Sequence, residues 1–331
     1  MPSLLTTSDA KRWTFDFLFV VVGMALLPDA LLGQQRAAVD FAPSVGSPAF
    51  PPGQGPVVLI DEAHHNFHTI GPTTAYDDEH RPVTIPGRYG PFAQLLRRDG
   101  YVVKPLESKI SRSSLHGAHV LVIANALAET NVDDWSLPNP SAFDEEEVVA
   151  VEEWVRDGGA LLLIADHQPW PAAAAALAER FGLLFYNGYT ERFRFRRVGS
   201  SLRDHPITKG RGPSEQIDSV TTFGGQAFRF APGTRAAPLL VIGDHSTLVL
   251  HWDPFEEETD EVPRIRADGM LQGAALRFGA GRVAAFGEAA MFTAQVDDEE
   301  GPMGMNHPEA PQNAQFVLNV LHWLTEVLPD N

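Results

Sequence analysis

The apolar residues of this chain fall into short dense runs, separated by stretches with helical spacing. Pro56-Val57-Val58-Leu59-Ile60 is one such run, bounded by Gly and Pro, and it predicts a strand buried on both faces. From Tyr89 to Gly100 the spacing changes. Phe92, Leu95 and Leu96 share one helical face, and Gly100 closes the element. Tyr101-Val102-Val103 and His119 to Ala124 predict a second and a third strand. Ser141 or Asp144 can cap a helix running to Arg156, with Val148, Val151, Trp154 and Val155 inward and Asp157-Gly158-Gly159 as its stop. Ala160 to Ala165 predicts a fourth strand, ending on Asp166-His167, and an Ala-rich helix follows to Arg180.

Strands alternating with helices imply a mostly parallel sheet covered on both faces. Such sheets carry their chemistry at the carboxyl ends of the strands. From Gly188 to Asp268 the pattern breaks into short alternating runs rich in Gly and Pro. This predicts an antiparallel β extension, an insertion around residues 188–270 within one domain spanning 57–331. Leu271 to Phe278 and Arg282 to Phe286, joined by Gly279-Ala280-Gly281, predict a hairpin. Ala314 to Val327 predicts a closing helix with Phe316, Val317, Val320, Leu321 and Leu324 inward.

The N-terminal 35 residues stand apart. Lys11 and Arg12 precede an apolar run from Trp13 to Leu27, marred by Asp16 and followed by Pro28. That is the pattern of a signal peptide or an N-terminal anchor. Residues 36–56, rich in Pro, Gly and Ser, read as a linker. The expected location is therefore secreted or periplasmic, with membrane association through the N-terminal segment alone.

Composition narrows the function. The 331 residues carry a formal net charge of −18, which disfavours a nucleic-acid partner. The basic stretch Arg192 to Arg197 alternates with Phe193 and Phe195 and reads as a strand with one charged face. There is no cysteine, so thiolate catalysis, disulfides and Cys-ligated zinc are excluded. Neither a Gly-x-Ser-x-Gly elbow nor a Gly-rich phosphate loop occurs.

The candidate chemistry lies at strand ends. Asp61-Glu62-Ala63-His64-His65-Asn66-Phe67-His68 directly follows the first strand. If a helical turn begins at Glu62, His64 and His68 stand at i and i+4 and share a face, a spacing that can grip one metal ion. Asp166-His167 repeats the acid–histidine pattern at the fourth strand, and Glu288 follows the hairpin. Asp61, His64, His68 and His167 are the expected ligands of a divalent metal such as zinc. Glu62, Asp166 and Glu288 are the expected acid–base groups. Asn66, Asn306 and Asn313 are candidate substrate-binding amides.

The order of elements resembles the class I glutamine amidotransferase-like superfamily, and within it the DUF4350-type and GIFT-type domains related to gliding-motility and intraflagellar-transport proteins. Val57 to His68, Tyr89 to Val103, Ala160 to His167, Asp204 to Thr208, Gly281 to Glu288 and Asn313 to Leu324 carry the resemblance. It implies an α/β, flavodoxin-like three-layer sandwich with the antiparallel extension added. Glutaminases of the superfamily use a cysteine at a strand–helix elbow, followed later by a histidine and a glutamate. Asp166 stands about where that cysteine would fall, so glutaminase chemistry is excluded. The resemblance implies a fold and a site edge and supplies no reaction.

Three functions remain. One is a metal-dependent hydrolase outside the cytoplasm, acting on a glycan, peptide or other small-molecule substrate. The second is a metal-free hydrolase using paired carboxylates. The third is a non-catalytic binding or assembly domain that recognises a glycan or protein partner.

Overall fold

The computed structural model describes residues 35–76, 82–251, 259–297 and 301–330. The expected leader, residues 1–35, lies outside them but for its last residue. Among the described residues no helix is long and apolar enough to cross a membrane.

Among the described residues nine strands form the main sheet: β1 (Val57–Asp61), β2 (Val102–Leu106), β3 (Val120–Ala124), β4 (Ala160–Ile164), β5 (Leu183–Phe185), β6 (Phe228–Phe230), β7 (Ala237–Val241), β8 (Leu271–Phe278) and β9 (Gly281–Phe286). Their order is β2-β1-β3-β4-β9-β8-β6-β5, with β7 also paired to β8. The first five in that order are mutually parallel, and every pairing beyond β9 is antiparallel. The helices α1 (Gly90–Arg98), α2 (Glu145–Arg156), α3 (Trp170–Arg180) and α4 (Asn313–Leu324) cover the sheet.

The dense apolar runs explain the parallel half. Val120 and Val122 of β3 face a core shared with Phe92, Leu95 and Leu96 of α1 and Phe316, Val317 and Val320 of α4. Leu121 and Ile123 face the opposite core, shared with Val148, Val151 and Val155 of α2 and Leu177 of α3. The pleat sends successive side chains to opposite faces, so both faces must be apolar. Each fully buried aliphatic side chain contributes roughly 1.5–3 kcal/mol.

The expected flavodoxin-like three-layer sandwich is overturned. Strand outweighs helix, 27% against 21%, and the strands form several sheets, some of them antiparallel. The segment expected as an added extension supplies strands to the main sheet itself, since β6 and β7 both pair with β8. Its other strands form small separate sheets, such as Arg194–Arg196 with Ser219–Thr221 and Thr247–Leu250 between Gly188–Tyr189 and Arg264–Arg266. The physical reason is the β8–β9 hairpin. Its outer strand runs against the parallel half, and short two-sided strands can then pair antiparallel without crossover helices.

Residues 36–56 pack on the fold. Arg36–Ala37 pairs with Ala294–Asp297. Phe41, Val45 and Phe50 lie against the core. The Ala49 N–H donates to Asp99 Oδ1 at 2.8 Å.

Candidate functional site

The carboxyl ends of β1, β3, β4 and β9 open on one edge, and the acidic and histidine side chains there divide into two clusters.

The first cluster is built on Asp61. Its carboxylate accepts the Ala63 N–H at 3.2 Å, His64 Nδ1 at 2.9 Å and Asn66 Nδ2 at 3.0 Å. His64 Nε2 reaches Glu147 Oε1 at 2.9 Å. Glu147 is the third residue of α2 and closes a capping box with Asp144, and it also accepts the Ile110 N–H at 2.9 Å. Burial opposes the charged imidazole, but hydrogen bonds and charge from Asp61 and then Glu147 overcome it and raise the His64 pKa. Residues 62–70 contain no helix, and His65 has a φ of 46°. The expected i, i+4 pairing of His64 with His68 therefore does not form. The cause is local: the Asp61 side chain gathers three donors from the residues after it, which competes with a helical turn. Glu62 is turned away too, its Oε1 accepting the N–H groups of Ile70 at 2.5 Å and Gly71 at 3.1 Å. Asn66 spans Asp61 and the Ala124 carbonyl, at 3.3 Å from the latter.

The second cluster lines a cavity of about 220 Å³. His68, Asp166, His167 and Glu288 are on its wall, with Asn125, Phe67, Trp170, Tyr189, Phe223 and Gln295. Asp166 and Glu288 are both buried. Asp166 Oδ1 accepts the His167 N–H at 2.8 Å and Oδ2 the Ala289 N–H at 2.9 Å. Glu288 Oε1 accepts from Ala290 N–H at 2.7 Å and Oε2 from Met291 N–H at 2.8 Å. Burial, and then the charge of Asp166, push the Glu288 carboxyl well above the ordinary range, and backbone N–H groups offset only part of this. Gly225 backs onto Glu288 at a φ of 97°. A Cβ there would lie 2.1 Å from the Gly287 carbonyl oxygen and 3.0 Å from Glu288 Cβ.

His68 is buried beside Tyr89 and Phe67, with ring centroids 4.9 and 5.4 Å away. Burial, then Arg88 and His167, hold its pKa well below the ordinary histidine value. His167 gives Nδ1 to the Gln168 carbonyl at 2.7 Å and packs against Trp170, centroids 4.8 Å apart. Two polar atoms of cavity-lining residues, Trp170 Nε1 and Gln295 Oε1, are buried with no hydrogen-bond partner among the described residues. Leaving such a group unmade costs about 1–3 kcal/mol.

The expected metal set is therefore split. Asp61 and His64 bind each other and Glu147, whereas His68 and His167 belong to the cavity. Among the described residues no three His, Asp or Glu side chains converge as a ligand set. The acid–base set is split as well, with Asp166 and Glu288 together and Glu62 apart.

The amides divide similarly. Asn306 Nδ2 donates to the Gln295 carbonyl at 2.7 Å, beside the cavity. Asn313 pairs with the Thr221 backbone, accepting its N–H at 3.0 Å and donating to its carbonyl at 2.7 Å. It is buried, so Asn313→Ala should lower stability by about 1–3 kcal/mol in a urea titration and leave any ligand affinity unchanged. A loss of affinity at constant stability would return Asn313 to the binding set.

Sequence reasoning passed over Asn125, Arg88 and the aromatic wall. Asn125 follows β3 directly, and an amide at the end of a wholly apolar strand was the available signal. Arg88 stacks over Phe67, its Cζ 3.9 Å from the ring centroid. Nothing local marks it, because Phe67 approaches through the loop after β1.

These features define a mixed α/β protein with an acid–histidine cleft at the carboxyl edge of its parallel strands. No family model matches the chain, and no curated protein does. Among solved structures, the mmIFT52 N-terminal domain superimposes with a TM-score of 0.53 and 14% identity, covering 81% of this chain and 97% of that one. A cytoplasmic protein from Salmonella typhimurium gives 0.44 at 13% identity, covering 81% and 98%. A thua-like protein from Bacteroides uniformis gives 0.43 at 14% identity, covering 86% and 94%. The first likeness shows a shared fold and nothing about activity.

Proposed function

We propose that the cleft between His68, Asp166 and Glu288 is a metal-free acid–base site for a small polyhydroxylated molecule, with sugars as the leading class. One observation carries this: two buried carboxylates share a cavity of about 220 Å³ walled by aromatic rings. Two desolvated carboxylates so placed resist double ionisation, and the retained proton belongs on Glu288. Protonated Glu288 is then the general acid and Asp166 the general base. The aromatic rings of Phe67, Trp170 and Tyr189 on the cavity wall suit the C–H surface of a sugar ring, while the carboxylates and Gln295 take its hydroxyls. The cavity is below the roughly 300–1,000 Å³ of drug-sized sites, which favours a single ring.

A second reading, a recognition cleft without turnover, draws on one fact. Every carboxylate oxygen of Asp166 and Glu288 already accepts a backbone N–H. The likeness to the mmIFT52 N-terminal domain concerns the fold alone. It is neutral between the two readings.

Calorimetric titration with a panel of monosaccharides tests the proposal. At least one sugar should bind saturably, and Trp170→Ala should weaken it about tenfold, or 1.4 kcal/mol. No binding across the panel, or equal binding by the variant, would sink the sugar assignment. Stoichiometric zinc in protein purified without a histidine tag, with turnover lost on chelation, would overturn the metal-free chemistry.

A further inference from the structure

We infer that Asn125 is a positioning residue that locks His68 as the tautomer protonated on Nε2, so that the cleft presents a hydrogen-bond donor there and selects a ligand oxygen. The inference deepens the reading of the cleft as a ligand site and rests on it for the ligand, though not for the tautomer.

A chain of hydrogen bonds with forced polarity carries it. The Asp166 backbone N–H can only donate, so the Asn125 side-chain atom 2.9 Å away is the carbonyl oxygen Oδ1. The other end of that amide is Nδ2, which also can only donate, and it lies 3.1 Å from His68 Nδ1. Nδ1 must accept, and a neutral ring then carries its proton on Nε2. Nε2 has no hydrogen-bond partner among the described residues, and His68 lines the cavity.

Asn125 is itself held on every side. Its N–H donates to the Ile164 carbonyl at 3.0 Å, and its own carbonyl accepts the Phe67 N–H at 3.0 Å. It is fully buried. Its φ of 50° is a left-handed conformation that asparagine tolerates better than most residues. One residue thus ties together the loop after β1, the end of β3 and the end of β4.

The charged groups around His68 reinforce the neutral ring. Arg88, on the loop before α1, and His167, after β4, both disfavour an imidazolium, as does burial. Asp166 lies on the same cavity wall and its carboxylate acts the other way, whereas the proton retained on Glu288 leaves that group neutral toward the ring. A neutral imidazole N–H polarises a carbonyl or meets a hydroxyl oxygen, and it rejects a cationic group. The substrate class sharpens accordingly: an oxygen acceptor toward His68 and a hydroxyl toward Asp166.

Long-range ¹⁵N–¹H correlation spectra of the imidazoles in the full chain test this without any ligand. At pH 7 the His68 signals should show a bare Nδ1 and a protonated Nε2, with titration confined to well below pH 6.5. Asn125→Asp keeps the acceptor for the Asp166 N–H and the left-handed backbone but has no donor for Nδ1. The variant should switch His68 to the Nδ1–H form. A protonated Nδ1 in the native protein, or a tautomer unmoved in a folded variant, would overturn the inference. The native spectrum decides even if the variant does not fold. A bare Nδ1 with no sugar bound would refute the sugar assignment alone.

Discussion

Replacing Asp61 by alanine should destabilise the protein by about 3–5 kcal/mol, the range for removing one partner of a buried ion pair. Asp61 is wholly buried and accepts from Ala63, His64 and Asn66. Its loss leaves the His64 imidazole with Glu147 alone and Asn66 Nδ2 with only the Ala124 carbonyl. Urea titration of the variant measures this, and a loss under about 1 kcal/mol, the worth of an ordinary net hydrogen bond, would show that the cluster is not a structural clamp.

The same cluster gives stability a pH dependence of defined sign. His64 has a raised pKa in the folded state. The fold therefore binds its proton more tightly than the unfolded chain does. The stabilisation is complete below the unfolded value of about 6.5 and fades as pH rises through the folded value. His64→Gln should flatten that slope above the unfolded histidine value of about 6.5. An unchanged slope would assign it to another group.

Glu288→Gln should lower turnover on the sugar-like substrate by about 10²–10⁴-fold, the usual contribution of one general acid–base group. The amide keeps shape and removes the transferable proton, so binding should survive within a few-fold. In native protein the rate should hold well above the ordinary carboxyl range and then fall as pH rises through the raised Glu288 value. Stability should move in concert. A carboxyl whose folded pKa is raised loses stability for the fold as pH climbs past its unfolded value of about 4.3. Glu288→Gln should therefore gain stability relative to the native protein toward pH 8. Full turnover in the variant would eliminate Glu288 as the acid. Binding without turnover in the native protein would favour the recognition reading.

Much of this architecture was legible in the chain. The apolar runs at Val57, Val120 and Ala160 could only be buried on both faces, and they form the adjacent parallel strands β1, β3 and β4. The cap at Asp144, one of two residues that could supply it, and the hairpin ending at Phe286 were written in local chemistry. Asp166 and Glu288, each placed just beyond a strand end, could be expected on one edge, and both line one cavity.

Partnership was decided elsewhere. Nothing within Asp61 to His68 shows that His64 turns to Glu147, 83 residues on, while His68 turns to Asn125, 57 residues on. A run of polar residues after a strand has one chain direction but two sides, and each side chain takes the partner that folding brings to it. That short antiparallel strands continue the main sheet beyond β8 was hidden for a similar reason, because strands of three to five residues carry too little periodicity to name their neighbours. The sequence by itself determined the buried strands and the residue types at their ends. Only the tertiary structure decided that the acid–histidine string is half clamp and half cleft, because hydrogen-bond partners are set by proximity in space.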